Sequence, residues 1–169
     1  MSPRPKRTPR SPDAALERDA AGLHRALSDL VRLYQFRDRT RICCHDVSVT
    51  QCYALEAVLR EGPLSLNALA ALLYLDKSTA SRVVDALERK RYLRRAADPA
   101  DGRAVRLEAT PEGRALHGRI ERSLIEEEMR LIADFEPAAR RAATTIIEKL
   151  AQSAAARCTR SAECCPPQE

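Results

Sequence analysis

The sequence predicts a mostly helical protein with one small β-hairpin. Three observations point that way. Ala and Leu dominate a composition that is 44% apolar, 31% charged and only 4% aromatic, with five Gly and no Trp. Apolar residues recur at spacings of three, four and seven over long stretches. The periodicity changes once, between Tyr92 and Glu108, around a turn-rich segment. At 169 residues the chain is long enough for one domain with a real core and appended tails.

Residues 1–12 mix Pro with Lys, Arg and Ser, which cannot build a core, and read as a disordered basic tail. From Ala14 to about Arg37, the residues Leu16, Leu23, Leu27, Leu30, Val31 and Tyr34 form the apolar stripe of a long amphipathic helix. A polar connection carrying Cys43 and Cys44 follows. Ser48 and Gln51 form a capping box that opens a second helix, stopped near Arg60 by Glu61-Gly62-Pro63. Ser65 caps a third helix to about Leu73. Asp76 caps a fourth, Lys77 to about Lys90, with Val83, Val84 and Leu87 turned inward.

Tyr92–Ala96 and Ala104–Glu108 flank Asp98-Pro99-Ala100-Asp101-Gly102-Arg103 and read as a hairpin with a charged tip. Thr110-Pro111-Glu112 supplies a cap, an N1 proline and an early acid for a long helix to about Ala133. Glu136-Pro137 begins a last helix reaching about Ala155. Residues 156–169 lack periodicity and read as a mobile tail.

The formal charge is +5, a balance that suits a polyanionic partner. Residues 77–106 hold nine Lys or Arg against four Asp or Glu, so their excess of five equals that of the whole chain. The N-terminus is followed by no apolar signal core, and no window is long and apolar enough to span a bilayer. A cytoplasmic location with reduced thiols is therefore expected.

Two short helices joined by a tight turn and followed by a charged hairpin make a winged helix-turn-helix. Leu75-Asp-Lys-Ser-Thr-Ala-Ser-Arg-Val-Val-Asp-Ala-Leu-Glu-Arg-Lys90 and Asp98-Pro-Ala-Asp-Gly-Arg-Ala-Val-Arg-Leu-Glu-Ala-Thr-Pro-Glu-Gly113 resemble the recognition helix and wing of the multiple antibiotic resistance regulator (MarR) family. The resemblance spans roughly residues 20–155. It implies a domain over 13–155, with the winged helix at about 48–110 and dimerisation helices at about 14–40 and 111–155. It also implies a homodimer on a palindromic DNA duplex, with effectors bound between the dimer region and the DNA-binding lobe. One position departs from the family: Arg91 stands where relatives usually have glycine. A left-handed conformation there would cost on the order of 1 kcal/mol.

At the start of the fourth helix, Lys77, Ser78, Thr79, Ser81 and Arg82 form a polar surface suited to base edges and phosphates. Arg103 at the wing tip suits a narrow minor groove. Asp101 is expected to orient Arg94 or Arg95, the other candidate wing contacts. Each of these charges alone reads better as a solvated surface; their order along the chain favours DNA.

Enzymatic chemistry finds little support. His24, His45 and His117 stand far apart, and there is no nucleophile elbow, phosphate loop or Cys-x-x-Cys motif. A thiol oxidoreductase would have to use an adjacent Cys pair, which is poorly shaped for dithiol chemistry. The expectation is a regulator, not an enzyme.

The six cysteines form two clusters: Cys43, Cys44 and Cys52, then Cys158, Cys164 and Cys165. Cys52 falls early in the second helix, where the helix dipole favours a thiolate. Thiolates select soft ions, so Cys43, Cys44, Cys52, Cys164 and Cys165 are candidate ligands for As(III), Sb(III), mercury, cadmium or zinc. Arsenite is favoured, acting as the effector that releases a repressor. A disulfide-based redox switch, an organic effector with incidental cysteines, and Cys52 as a small buried hydrophobe remain open.

Overall fold

A computed structural model describes residues 13–98 and 104–158. It holds α1 (Ala14–Cys43), α2 (Val49–Glu61), α3 (Leu66–Leu72), α4 (Lys77–Arg89), β1 (Leu93–Ala97), β2 (Val105–Ala109), α5 (Pro111–Leu131) and α6 (Pro137–Cys158). The chain divides into two compact units after Glu121, part-way along α5. The first carries the winged helix; the second carries the end of α5 and all of α6.

The helix starts follow the sequence closely. Asp13, Ser48, Ser65 and Asp76 each accept a backbone N–H from the first turn of α1, α2, α3 and α4, and Ser48 with Gln51 completes the capping box. Gly62, at φ +81, ends α2. In the first unit, α2 packs against α1, α3, α4 and β2, and β1 packs on α4. Ile42, Leu55, Leu69, Val84, Leu87, Leu93, Leu107, Leu116 and Ile120 are almost fully buried and form the core.

The hairpin is antiparallel, pairing Leu93 with Ala109 and Ala97 with Val105, one residue later in each strand than expected. Leu64 adds an isolated bridge to Leu107, with hydrogen bonds of 3.3 and 2.8 Å, so the connection between α2 and α3 seats the wing. Leu93, Leu107 and Ala109 point into the core, and the intervening polar residues point out.

The largest departure lies in α1, which continues six residues past Arg37. Asp38 and Ile42 extend the inward face at a spacing of four. The sequence hides this because Asp38 is a charged residue in a core position. Asp38 accepts from the Tyr53 hydroxyl at 2.8 Å and from Arg37 Nη2 at 2.8 Å, which makes its burial tolerable. Cys43 therefore closes α1 rather than lying in a loop, and Cys44 caps it.

Arg91 takes φ +63, the left-handed conformation whose cost the sequence raised. The turn is locked from α5: the Thr110 hydroxyl donates to the Arg91 carbonyl at 2.6 Å, and the Thr110 N–H donates to that of Tyr92 at 3.1 Å. Gly113 sits so close that a Cβ there would overlap the Tyr92 carbonyl. In the second unit, Arg140 bonds the carbonyls of Ala133 and Phe135, both at 2.7 Å, and fixes the α5–α6 connection.

Candidate nucleic-acid interface

Helix α4 buries Ala80, Val84 and Leu87. Lys77, Ser78, Arg82 and Arg89 are exposed, while Thr79, Ser81 and Asp85 are half-buried. Ser78, Arg82, Asp85 and Arg89 follow one another at spacings of four, three and four, so they share one face. Arg89 belongs to this face although the sequence reading did not single it out. Its spacing from Arg82 was the available signal.

Asp76 organises the start of that face. It accepts the Ser78 hydroxyl at 2.6 Å, the Thr79 hydroxyl at 2.6 Å and the Thr79 N–H at 2.9 Å. These donors hold its carboxyl well below the usual carboxylate range, the two hydroxyls contributing most. Asp76 is thus an anion at any neutral pH. With its proton committed to Asp76, the exposed Ser78 hydroxyl offers only lone pairs and suits donor groups on base edges.

The wing arginines are held by acids. Arg94 donates to Glu108 on the paired strand, with Nη2 at 2.6 Å. Arg95 reaches back to α4, with Nη2 at 2.7 Å from Asp85 and a second ion pair to Glu88. Arg106 pairs with Asp98 at 2.5 Å. The Arg94 and Arg106 pairs tie the two strands of the hairpin together, and the Arg95 pairs tie the hairpin to α4. Asp101 and Arg103 lie outside the described residues, so the acids placed on Arg94 and Arg95 are Glu108, Asp85 and Glu88.

The described cysteines do not converge. Cys43 and Cys44 are exposed, whereas Cys52 is buried. Burial, followed by the nearby Glu56 and Asp38 charges, pushes the Cys52 thiol up to about 11. The thiolate expected from the helix dipole is therefore disfavoured: desolvation and like charge outweigh the dipole. Among the described residues no three His, Cys, Asp or Glu side chains form a group able to hold a metal. Cys164 and Cys165 lie outside the described residues, as does the tail that would carry them. Among those residues no helix is long and apolar enough to cross a membrane.

A cleft of about 760 Å³ opens between α1 and the start of α2, lined by Val31, Tyr34, Phe36, Asp38, Val49 and Tyr53 among others. The sequence placed Tyr34 on an apolar stripe but missed Asp38 one turn further along α1.

Comparison with known proteins agrees with this architecture. Residues 45–104 match the sequence model of the MarR family. The chain is 25% identical over 93 residues to the uncharacterized HTH-type transcriptional regulator YsmB of Bacillus subtilis, covering 55% of this chain and 64% of that protein. It is 30% identical over 83 residues to the HTH-type transcriptional regulator TtmR of Methylorubrum extorquens, covering 49% and 43% respectively. The aligned segments thus span less than two thirds of either curated relative. A MarR family protein from Bacillus stearothermophilus superposes with a TM-score of 0.75 over 81% of this chain and 96% of that one, at 23% identity, and shows the same fold. Residues 45–104 are accordingly similar to the winged helix-turn-helix of the MarR family, and the fold is the one that a solved protein of that family shows.

Proposed function

We propose that the chain is a DNA-binding repressor that works as a homodimer on a palindromic duplex. The observation that carries this reading is the outward face of α4, where Lys77, Ser78 and Arg82 stand exposed at the helix start and Asp76 orients the hydroxyls of Ser78 and Thr79. The local excess of five positive charges over residues 77–106 supports it. Dimerisation is supported by apolar side chains left uncovered. Leu23, Leu27, Leu30, Val31 and Phe36 are exposed on α1, and separately Ile125, Met129, Ile146 and Ile147 are exposed on α5 and α6. A two-fold pair of such lobes would meet successive turns of one DNA face.

The test is binding of the full chain to the duplex upstream of its own coding sequence, measured against a shuffled duplex across salt concentrations. Specific binding that weakens steeply with salt supports the reading; equal binding to both duplexes sinks it. Light scattering at micromolar concentration checks the dimer, which a folded monomer would refute.

For the effector we favour a thiophilic metalloid, arsenite first, at Cys43 and Cys44, because both thiols are exposed at the end of α1. Cys52 leaves the ligand set. An organic effector is the second reading, favoured by the cleft between α1 and α2 with its aromatic lining.

A further inference from the structure

The turn that carries the adjacent thiols is short and anchored on both sides. Ile42 is fully buried and Val47 is 4% exposed, so only Cys43, Cys44, His45 and Asp46 lie between two core positions. Within it, Cys44 Sγ donates to the Thr40 carbonyl at 3.3 Å and the His45 N–H to the Ile42 carbonyl at 3.0 Å. Asp46 is left-handed, with φ +62. Into this turn reaches Lys90, 44 residues further along the chain. Its ammonium donates to the Asp46 carbonyl, with the Asp46 carboxylate at 3.5 Å and Gln51 Oε1 at 3.4 Å. Gln51 belongs to the capping box of α2, and Lys90 is the C-cap of α4. One ammonium therefore ties the thiol turn, the start of α2 and the end of the recognition helix.

We propose that this turn is a dithiol switch for trivalent arsenicals, and that Lys90 carries its state to α4. The proposal rests on the reading above that α4 binds DNA and that Cys43 and Cys44 receive the effector. In the observed turn both residues are helical, and adjacent helical side chains do not face each other. The closed turn is thus no ready-made chelate. Arsenite, As(OH)3, takes two thiols by substitution: two As–S bonds form and two As–O bonds break. Each leaving hydroxide departs as water with a thiol proton, and arsenic stays trivalent. To meet one arsenic atom the thiols must swing together, which unwinds the last turn of α1 and breaks the Cys44–Thr40 bond.

With four residues between Ile42 and Val47, the displacement has no slack in which to dissipate and falls on Asp46. Lys90 then loses its acceptor and the end of α4 loses its brace. A ligand that binds only the opened turn shifts the population toward it.

The test uses the reduced full chain with sodium arsenite, reading affinity for the upstream duplex and hydrogen exchange in the segment 86–95. The expected result is binding weakened by about tenfold or more, with faster exchange at that segment. Cys43→Ser/Cys44→Ser should lose both responses. Lys90→Met should still take up arsenite by intact mass yet respond less than about threefold in affinity; Lys90→Arg, which keeps a donor, should recover part of the response. The proposal is overturned if the double serine variant responds like the parent, if Lys90→Met keeps the full response, or if hydroperoxide but not arsenite acts. Failure to bind any duplex would remove the functional reading alone. Unchanged exchange at 86–95 with arsenite bound would then still refute the Lys90 link.

Discussion

The Tyr53 hydroxyl donates to Asp38 Oδ2 at 2.8 Å, tying α2 to the one buried charged side chain of the described core. The other oxygen of Asp38 accepts from Arg37 Nε at 3.0 Å and Nη2 at 2.8 Å. The carboxylate is thus satisfied on both oxygens, which is what its burial requires. Tyr53→Phe removes one donor while keeping the ring. It should destabilise the fold by about 1 kcal/mol, since Tyr53 itself is only half covered. Urea unfolding measures this, and an unchanged midpoint would mean that solvent replaces the bond without loss.

Alkaline pH should weaken the same region. The Cys52 thiol is pushed up to about 11, first by burial and then by Glu56 and Asp38; the Tyr53 phenol is pushed up to about 12 by burial and its bond to Asp38. In the unfolded chain the thiol loses its proton near its ordinary value of 9.0. Below that pH both states hold the proton and these groups leave stability level. Between pH 9 and about 11 the unfolded state binds fewer protons, so stability falls, at no more than about 1.4 kcal/mol per pH unit for one group. Cys52→Ala should flatten this slope. Alkylation at pH 8 should modify Cys43 and Cys44 and spare Cys52; rapid labelling of Cys52 in folded protein would contradict its burial.

The turn after α4 offers two substitutions of opposite sign. Arg91→Gly relieves a left-handed backbone at φ +63 and should stabilise by on the order of 1 kcal/mol. Gly113→Ala forces a methyl group onto the Tyr92 carbonyl and should destabilise by about 1–3 kcal/mol. Thermal unfolding of both variants checks the pair. A stabilised Gly113→Ala would mean that α5 does not dock on this turn as described.

The sequence made the helix starts legible because capping is local. Ser48, Ser65 and Asp76 act within three residues of themselves, and each cap stands where its side chain predicts. The end of α1 was not legible, because Asp38 is partnered by Tyr53, fifteen residues away. The same limit applied to Cys52. A helix dipole can be read from position, whereas the burial and the Asp38 and Glu56 charges that oppose it come from packing. Arg94 and Arg95 showed charge in the sequence, but only pairing across the hairpin and back to α4 reveals Glu108, Asp85 and Glu88 as their partners.

That difference separates two arginines that look alike in sequence. Arg82 is exposed on the outer face of α4, whereas Arg95 is clamped between Asp85 and Glu88. A phosphate contact releases counterions, so Arg82→Ala should weaken duplex binding and lower the slope of log K against log salt by about 1. Arg95→Ala should also weaken binding, by freeing the wing from α4, but a residue that touches no phosphate leaves the slope unchanged. Loss of its ion pairs should also make the wing segment 93–98 exchange hydrogen faster, a change that Arg82→Ala should not cause. Fluorescence anisotropy from low to moderate salt, with exchange on both variants, separates the roles. If Arg95→Ala lowers the slope as much as Arg82→Ala, the Arg95 guanidinium leaves its acids to meet DNA, and its assignment as a brace is wrong.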